Sequence, residues 1–260
     1  MGKEALKVFN EANQMIDELV KSGALKAHGI VGFYRANSVN DEDILLMDEQ
    51  GREIATLYGL RQQAAKDSHD NAPYTSLADL VAPRESGLTD YVGLFVVSAG
   101  FGAQQISDDF AAKNDPYGDI LIKAVADRLA EAFAEELHLR VRRELWGYQP
   151  TEELEAADLL KVKYEGIRPA PGYPSQPDHT EKETIWRVMD VEAATGIQLT
   201  DSLAIWPAAS TCGIYFAHPK SAYFAVGKIQ KDQVASYAAR KKMTLEETEK
   251  WLSPMLAYEP

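Results

Sequence analysis

The chain has 260 residues, of which 45% are apolar and 26% charged, with a formal net charge of −13. That length supports one large domain or two small ones, and the composition is ordinary for a soluble globular protein. The acidic balance argues against nucleic acid and anionic membrane surfaces as partners, since both are held by clustered Lys and Arg.

In chain order, residues 3–22 read as a helix with Leu6, Phe9, Ile16, Leu19 and Val20 on one side and Gly23 as its stop. Ile30–Tyr34 reads as a strand, residues 37–43 as a polar turn, and Ile44–Met47 and Ile54–Leu57 as short strands joined by hairpin-like turns. A helical turn is expected over 60–66, and the apolar run Tyr91–Val97 reads as a central strand. Asp115 caps and Pro116 opens the longest helix, expected to reach Leu145. Its ridge is Leu121, Val125, Leu129, Phe133, Leu137, Val141 and Leu145. A shorter helix is expected near 152–162. A Thr180/Glu183 capping box opens a helix to about Ala194, ended by Gly196. Residues 213–217 and 223–227 read as strands, and helices near 231–241 and 245–252 close the chain, the second behind a Thr244/Glu247 box. The pattern predicts α+β: a single domain, 1–260, with a mostly antiparallel twisted sheet packed against a long central helix and several shorter helices.

No apolar run is long enough to span a bilayer, and the N-terminus lacks an apolar signal core, so a cytoplasmic location is expected. Cys212 is alone, which excludes an internal disulfide; without a basic neighbour it reads as a small buried apolar group. The five histidines share no metal-ligand spacing, so no metal is expected. Gly100-Phe101-Gly102 follows an apolar strand as a nucleotide-binding turn would, but the third glycine is missing and Gln105 stands in its place.

The most distinctive stretch is Arg168-Pro169-Ala170-Pro171-Gly172-Tyr173, with Pro174 and Pro177 following. Prolines fix φ and remove donors, and Gly172 permits a sharp turn or close approach. Such a strip suits a ligand that binds the chain's polar edges, if its carbonyls lack helix or ladder partners. Composition alone favours a stiff spacer.

The passage RPAPGYPSQPDHTEK from Arg168 resembles the signature of the S-adenosylmethionine-binding activation domain of cobalamin-dependent methionine synthase. ADRLAEAFAEELH from Ala126, YGLRQQ from Tyr58, TGIQLTDSLAIWP from Thr195, YFAVGKIQKDQV from Tyr223 and the closing WLSPMLAYEP resemble segments of that domain in the same order. The resemblance implies part of a methyltransferase: a module that positions S-adenosylmethionine for reductive methylation of an inactive cob(II)alamin held by another domain. It implies no catalytic side chain, because the sulfonium already activates the methyl group. Implied cofactor contacts are Arg168 on the carboxylate, Pro169, Ala170 and Gly172 through their backbone, Tyr173 against the corrin, the pair Tyr223 and Phe224, and Glu131 near the ammonium or sulfonium. His179 lies at the rim or serves as a cap. Implied partners are the cobalamin-binding domain and a flavodoxin or diflavin reductase. The family domain opens upstream with a DWTPFF-like motif that this sequence lacks, so the chain resembles an N-terminally truncated module. The alternative is a docking module for the cobalamin domain and flavoprotein that no longer binds S-adenosylmethionine well.

Overall fold

A computed structural model describes residues 2–66 and 72–260. The fold is mixed α+β. Its helices are α1 (Lys3–Ser22), α2 (Ala103–Ala112), α3 (Pro116–Arg140), α4 (Ala156–Leu159), α5 (Glu181–Met189), α6 (Val191–Thr195), α7 (Lys231–Lys241) and α8 (Leu245–Trp251). Strands β1 (Lys26–Val39), β2 (Asp43–Met47), β3 (Glu53–Leu57), β4 (Asp90–Phe101) and β7 (Ser210–Tyr215) form a five-stranded sheet in the order β3-β2-β1-β4-β7. β5 (Gln198–Leu199) and β6 (Ile205–Trp206) form a separate antiparallel pair. No helix among the described residues is long and apolar enough to cross a membrane.

The chain falls into two compact units: 1–30 with 96–140 and 191–211, and 31–95 with 141–190 and 212–260. In the first unit, α1 ends on Gly23 in the left-handed region, as expected. Leu19 and Ile16 pack with Leu121, Ile122 and Val125 of α3. Leu6, Phe9 and Val20 point outward instead, so only part of the expected apolar face of α1 is covered. Asp115 caps α3 through its carboxylate, which accepts from the Gly118 N–H at 2.9 Å. Burial along α3 moves off the leucine ridge onto Ala126, Ala130, Ala134 and His138. An i, i+4 ridge drifts around a 3.6-residue helix. The small alanines let Ala99 and Ala209 approach closely. The α-helix stops at Arg140. That is five residues short of the expected end: Val141–Leu145 is a wider π turn, and Leu145 is exposed.

In the second unit, β2 pairs antiparallel with both β1 and β3, the hairpin arrangement expected. The expected polar turn at 37–43 shrinks because β1 continues to Val39. Asn37 and Ser38 are buried there, the Asn37 amide donating to the carbonyls of Ala82 and Leu88, so polar identity did not exclude them from the strand. Residues 60–66 form no helix, and the helix expected at 152–162 reduces to the four residues of α4. The helix expected to reach Ala194 breaks at Asp190, which adopts φ 50°, a conformation that Asp tolerates better than most residues. Leu60, Val226, Ile229, Val234, Tyr237, Leu252 and Leu256 make the core beneath α7 and α8. Thr244 caps α8 by accepting from the Glu247 N–H at 3.2 Å, half of the expected box.

Candidate functional site: the proline strip

Seven of the eight residues implied as cofactor contacts lie in the second unit; Glu131 lies in the first. The strip begins as an addition to the end of the sheet. Ile167 and Phe216 exchange backbone hydrogen bonds of 3.1 and 3.0 Å, and the Ile214 N–H donates to the Pro169 carbonyl at 2.9 Å. The expectation of carbonyls without ladder partners is therefore corrected. Pro169 joins the sheet through its carbonyl alone, since it has no N–H with which to return the bond. Side chains then alternate as in a strand: Ile167, Pro169 and Pro171 are buried, while Arg168, Ala170 and Gly172 are half-buried. The prolines face the protein and Arg168 faces outward.

At Gly172 the strip turns. The Tyr173 N–H donates to the Ala170 carbonyl at 3.1 Å, and the Gly172 N–H to the Gln176 carbonyl at 2.7 Å. Gly172 has φ +94°, and a Cβ there would lie 2.2 Å from the His179 ring. Both facts require glycine. Tyr173 projects beyond the turn, 64% exposed.

Residues 223–226 lie along this strip, but not as the expected strand. They are extended and held by two contacts: the Arg168 N–H donates to the Tyr223 hydroxyl at 3.0 Å, and the Val226 N–H to the Pro174 carbonyl at 2.9 Å. The expected opposition within the pair holds, since Tyr223 is 48% exposed while Phe224 packs against the core of α7 and α8.

Beneath the turn, the Thr180 side chain does not cap α5; its hydroxyl donates to Asp178 instead. Asp178 does the local capping by accepting from the Thr180 N–H at 2.8 Å. It also accepts from the Tyr237 hydroxyl at 2.7 Å and from Lys241 at 2.8 Å. Lys241 binds the fully buried Glu181 as well, and Glu181 accepts from the Tyr58 N–H at 3.1 Å. Burial outweighs Lys241 at Glu181 and pushes its carboxyl up to about 7. At Asp178, Lys241 and three hydrogen bonds outweigh burial and hold the carboxyl below its ordinary value. The network pins the start of α5, and with it the end of the strip. His179 stacks its ring under Gly172, and its Nδ1 accepts from Lys182 at 3.0 Å. Burial first and the Lys182 cation second keep the imidazole pKa below its usual value. Burial pushes the nearby Cys212 thiol up to about 12, consistent with its expected role as a buried apolar group.

Glu131 stands on the exposed flank of α3, paired with Arg128 at 3.0 Å. Of Gly100-Phe101-Gly102, the first two residues end β4 and Gly102 alone makes the turn into α2, at φ +97°, where a Cβ would strike the Ala24 carbonyl oxygen at 2.1 Å.

Residues 1–242 match the family model described as vitamin B12 dependent methionine synthase, activation domain. The chain belongs to that family. A solved structure of the MetH reactivation domain bound to AdoHcy is 49% identical, with a TM-score of 0.94 over 98% of this chain and 78% of that one. The family match runs through both compact units, and the structural match extends the likeness to the closing segment beyond residue 242.

Three features around the strip had no signal in the sequence. Tyr164, whose hydroxyl meets Arg168, stands in an irregular segment where periodicity says nothing. The Tyr223 contact joins positions 55 residues apart. The Asp178–Lys241–Glu181 network mixes ordinary charged positions of two helix starts and ends, which pattern reading assigns to solvent.

Proposed function

We propose that this chain is the S-adenosylmethionine-binding reactivation module of a cobalamin-dependent methionine synthase. The observation that carries the reading is the outward Arg168, held at the half-buried edge of a rigid strip and flanked by the exposed ring of Tyr223. A guanidinium fork suits a carboxylate, which S-adenosylmethionine carries. The residues fit the ligand in two further ways. Gly172 offers backbone without a side chain, and Ala170 and Pro169 offer carbonyls that retain a second acceptor site for an amino group. The AdoHcy in the similar solved structure supports the same ligand class. When bound, S-adenosylmethionine supplies a methyl group already activated by its sulfonium, for transfer to cobalt in a partner domain.

This chain's own contribution is to bind and orient. Arg168 holds the carboxylate, Ala170 and Gly172 pass close to the adenine, Tyr223 covers one side and Phe224 anchors its neighbour in the core. Tyr173, which projects farthest, meets the cobalamin face when the cobalamin-binding domain docks. A flavodoxin or diflavin reductase supplies the electron that precedes methylation. No side chain acts as nucleophile, acid or base.

Isothermal titration with S-adenosylmethionine tests the reading, beside Arg168→Ala. The wild-type chain binds saturably. The variant loses a charge-assisted contact worth about 1.5–3 kcal/mol, so it binds roughly ten- to hundred-fold more weakly. Absence of binding by a wild-type chain that unfolds cooperatively would sink this reading in favour of a docking module.

A further inference from the structure

Arg168 is half-exposed, yet its side chain is tethered to a buried foundation, and that foundation has a traceable origin in the fold. The π turn after α3 carries Arg142, which is 0% exposed. Its Nε and Nη2 donate to the two carboxylate oxygens of Glu152 at 2.6 and 2.8 Å, a bidentate pair that leaves the guanidinium no freedom to swing. The guanidinium carbon lies 4.0 Å from the centre of the Tyr164 ring, so the buried cation supports the aromatic face. Tyr164 reaches this position because the chain reverses at Gly166. There φ is +90°, and a Cβ would lie 2.4 Å from the Tyr148 hydroxyl and 2.7 Å from the Phe216 carbonyl oxygen. The Tyr164 hydroxyl then accepts from Arg168 Nη1 at 2.7 Å.

Resting on the proposed function, we infer that Tyr164 is a positioning residue. Fixed by the Arg142–Glu152 pair, it sets the direction of the Arg168 guanidinium and thereby the selectivity of the site for a ligand bearing a carboxylate. An arginine side chain has many rotamers, and a bidentate clamp works only when the fork is held within roughly 10–20° of its working direction. The backbone at Arg168 is fixed separately by the Tyr223 hydroxyl, so Tyr164 governs the far end of the side chain and Tyr223 the near end. Tyr164 itself is buried and acts through Arg168.

The test is a titration series on the full chain with two probes: S-adenosylmethionine and its decarboxylated analogue, which lacks the group that Arg168 holds. Tyr164→Phe keeps the ring on Arg142 and removes only the hydroxyl. It weakens S-adenosylmethionine about ten-fold, as loss of one charge-assisted hydrogen bond would, and leaves the analogue unchanged. In the Arg168→Ala background the same substitution has no further effect, because the group it acts through is gone. If Tyr164→Phe lowers the thermal midpoint, the ratio of the two affinities within that variant still reads the effect, since both probes see the same folded fraction. Equal weakening of both probes, or full additivity with Arg168→Ala, overturns the inference while the cofactor-binding reading stands. A wild-type chain that binds neither probe overturns both.

Discussion

Replacing Gly172 by alanine probes the point where backbone strain and packing meet. A non-glycine residue at φ +94° costs about 1–3 kcal/mol. The new Cβ would lie 2.2 Å from His179 Cε1 and 2.5 Å from its Nδ1, so the ring must move by more than an ångström to reach ordinary contact. That movement breaks the 3.0 Å contact with Lys182, a hydrogen bond worth about 0.5–1.5 kcal/mol. Together these give a destabilisation of roughly 2–4 kcal/mol. Urea unfolding measures it directly, with His179→Ala and the double variant completing a cycle. Removing the ring removes the clash and leaves only the backbone strain. The double variant is therefore less destabilised than the sum of the singles, by about 1 kcal/mol or more. A Gly172→Ala chain within about 0.5 kcal/mol of wild type, or a strictly additive double variant, would refute the reasoning.

Glu181 folds with its carboxyl raised to about 7, so its contribution to stability is complete below its unfolded pKa and is lost as pH rises through about 7. Wild type therefore loses unfolding free energy relative to Glu181→Gln between about pH 5 and pH 8, and a difference flat with pH would refute this. Cys212, buried and with its thiol pushed up to about 12, reacts with a disulfide reagent at neutral pH only as fast as the chain opens. Rapid stoichiometric labelling of the native chain would contradict that placement. Glu152→Gln leaves the fully buried Arg142 without its charge partner and destabilises by about 3–5 kcal/mol, read as a drop in the urea midpoint.

Much of the fold was legible because its signals are local. Gly23, Asp115 and Thr244 punctuate helices where the sequence says they should, and the apolar run at 91–97 does become an interior strand, flanked by β1 and β7. Errors arose where a specific side-chain partner, distant or near, overrode a local preference. Asn37 and Ser38 stay in β1 because carbonyls of residues 81, 82 and 88 satisfy their side chains. Thr180 has the sequence of a cap, but Asp178 two residues earlier takes its hydroxyl. The residues of the candidate site were legible only through likeness to a family, since Arg168 and Tyr223 are unremarkable by periodicity. Their supports, Tyr164 and Arg142, lay beyond both kinds of reading, because a fully buried arginine is recognised only when its carboxylate is seen beside it.

The strip at 167–173 also changes what the end of the sheet offers to another chain. β7 is last in the strand order, and the strip pairs outside it through Ile167 and the Pro169 carbonyl. An exposed strand end is ordinarily a template on which another chain can add, the first step toward aggregates. Here the outward N–H of Arg168 is already taken by the Tyr223 hydroxyl, and the N–H of Gly172 by the Gln176 carbonyl at the turn. A newcomer strand finds the row of donors interrupted at Arg168 and ended at the Gly172 turn. The tyrosine contact and the glycine turn that hold the strip in place thus also shorten the edge on which another polypeptide could add.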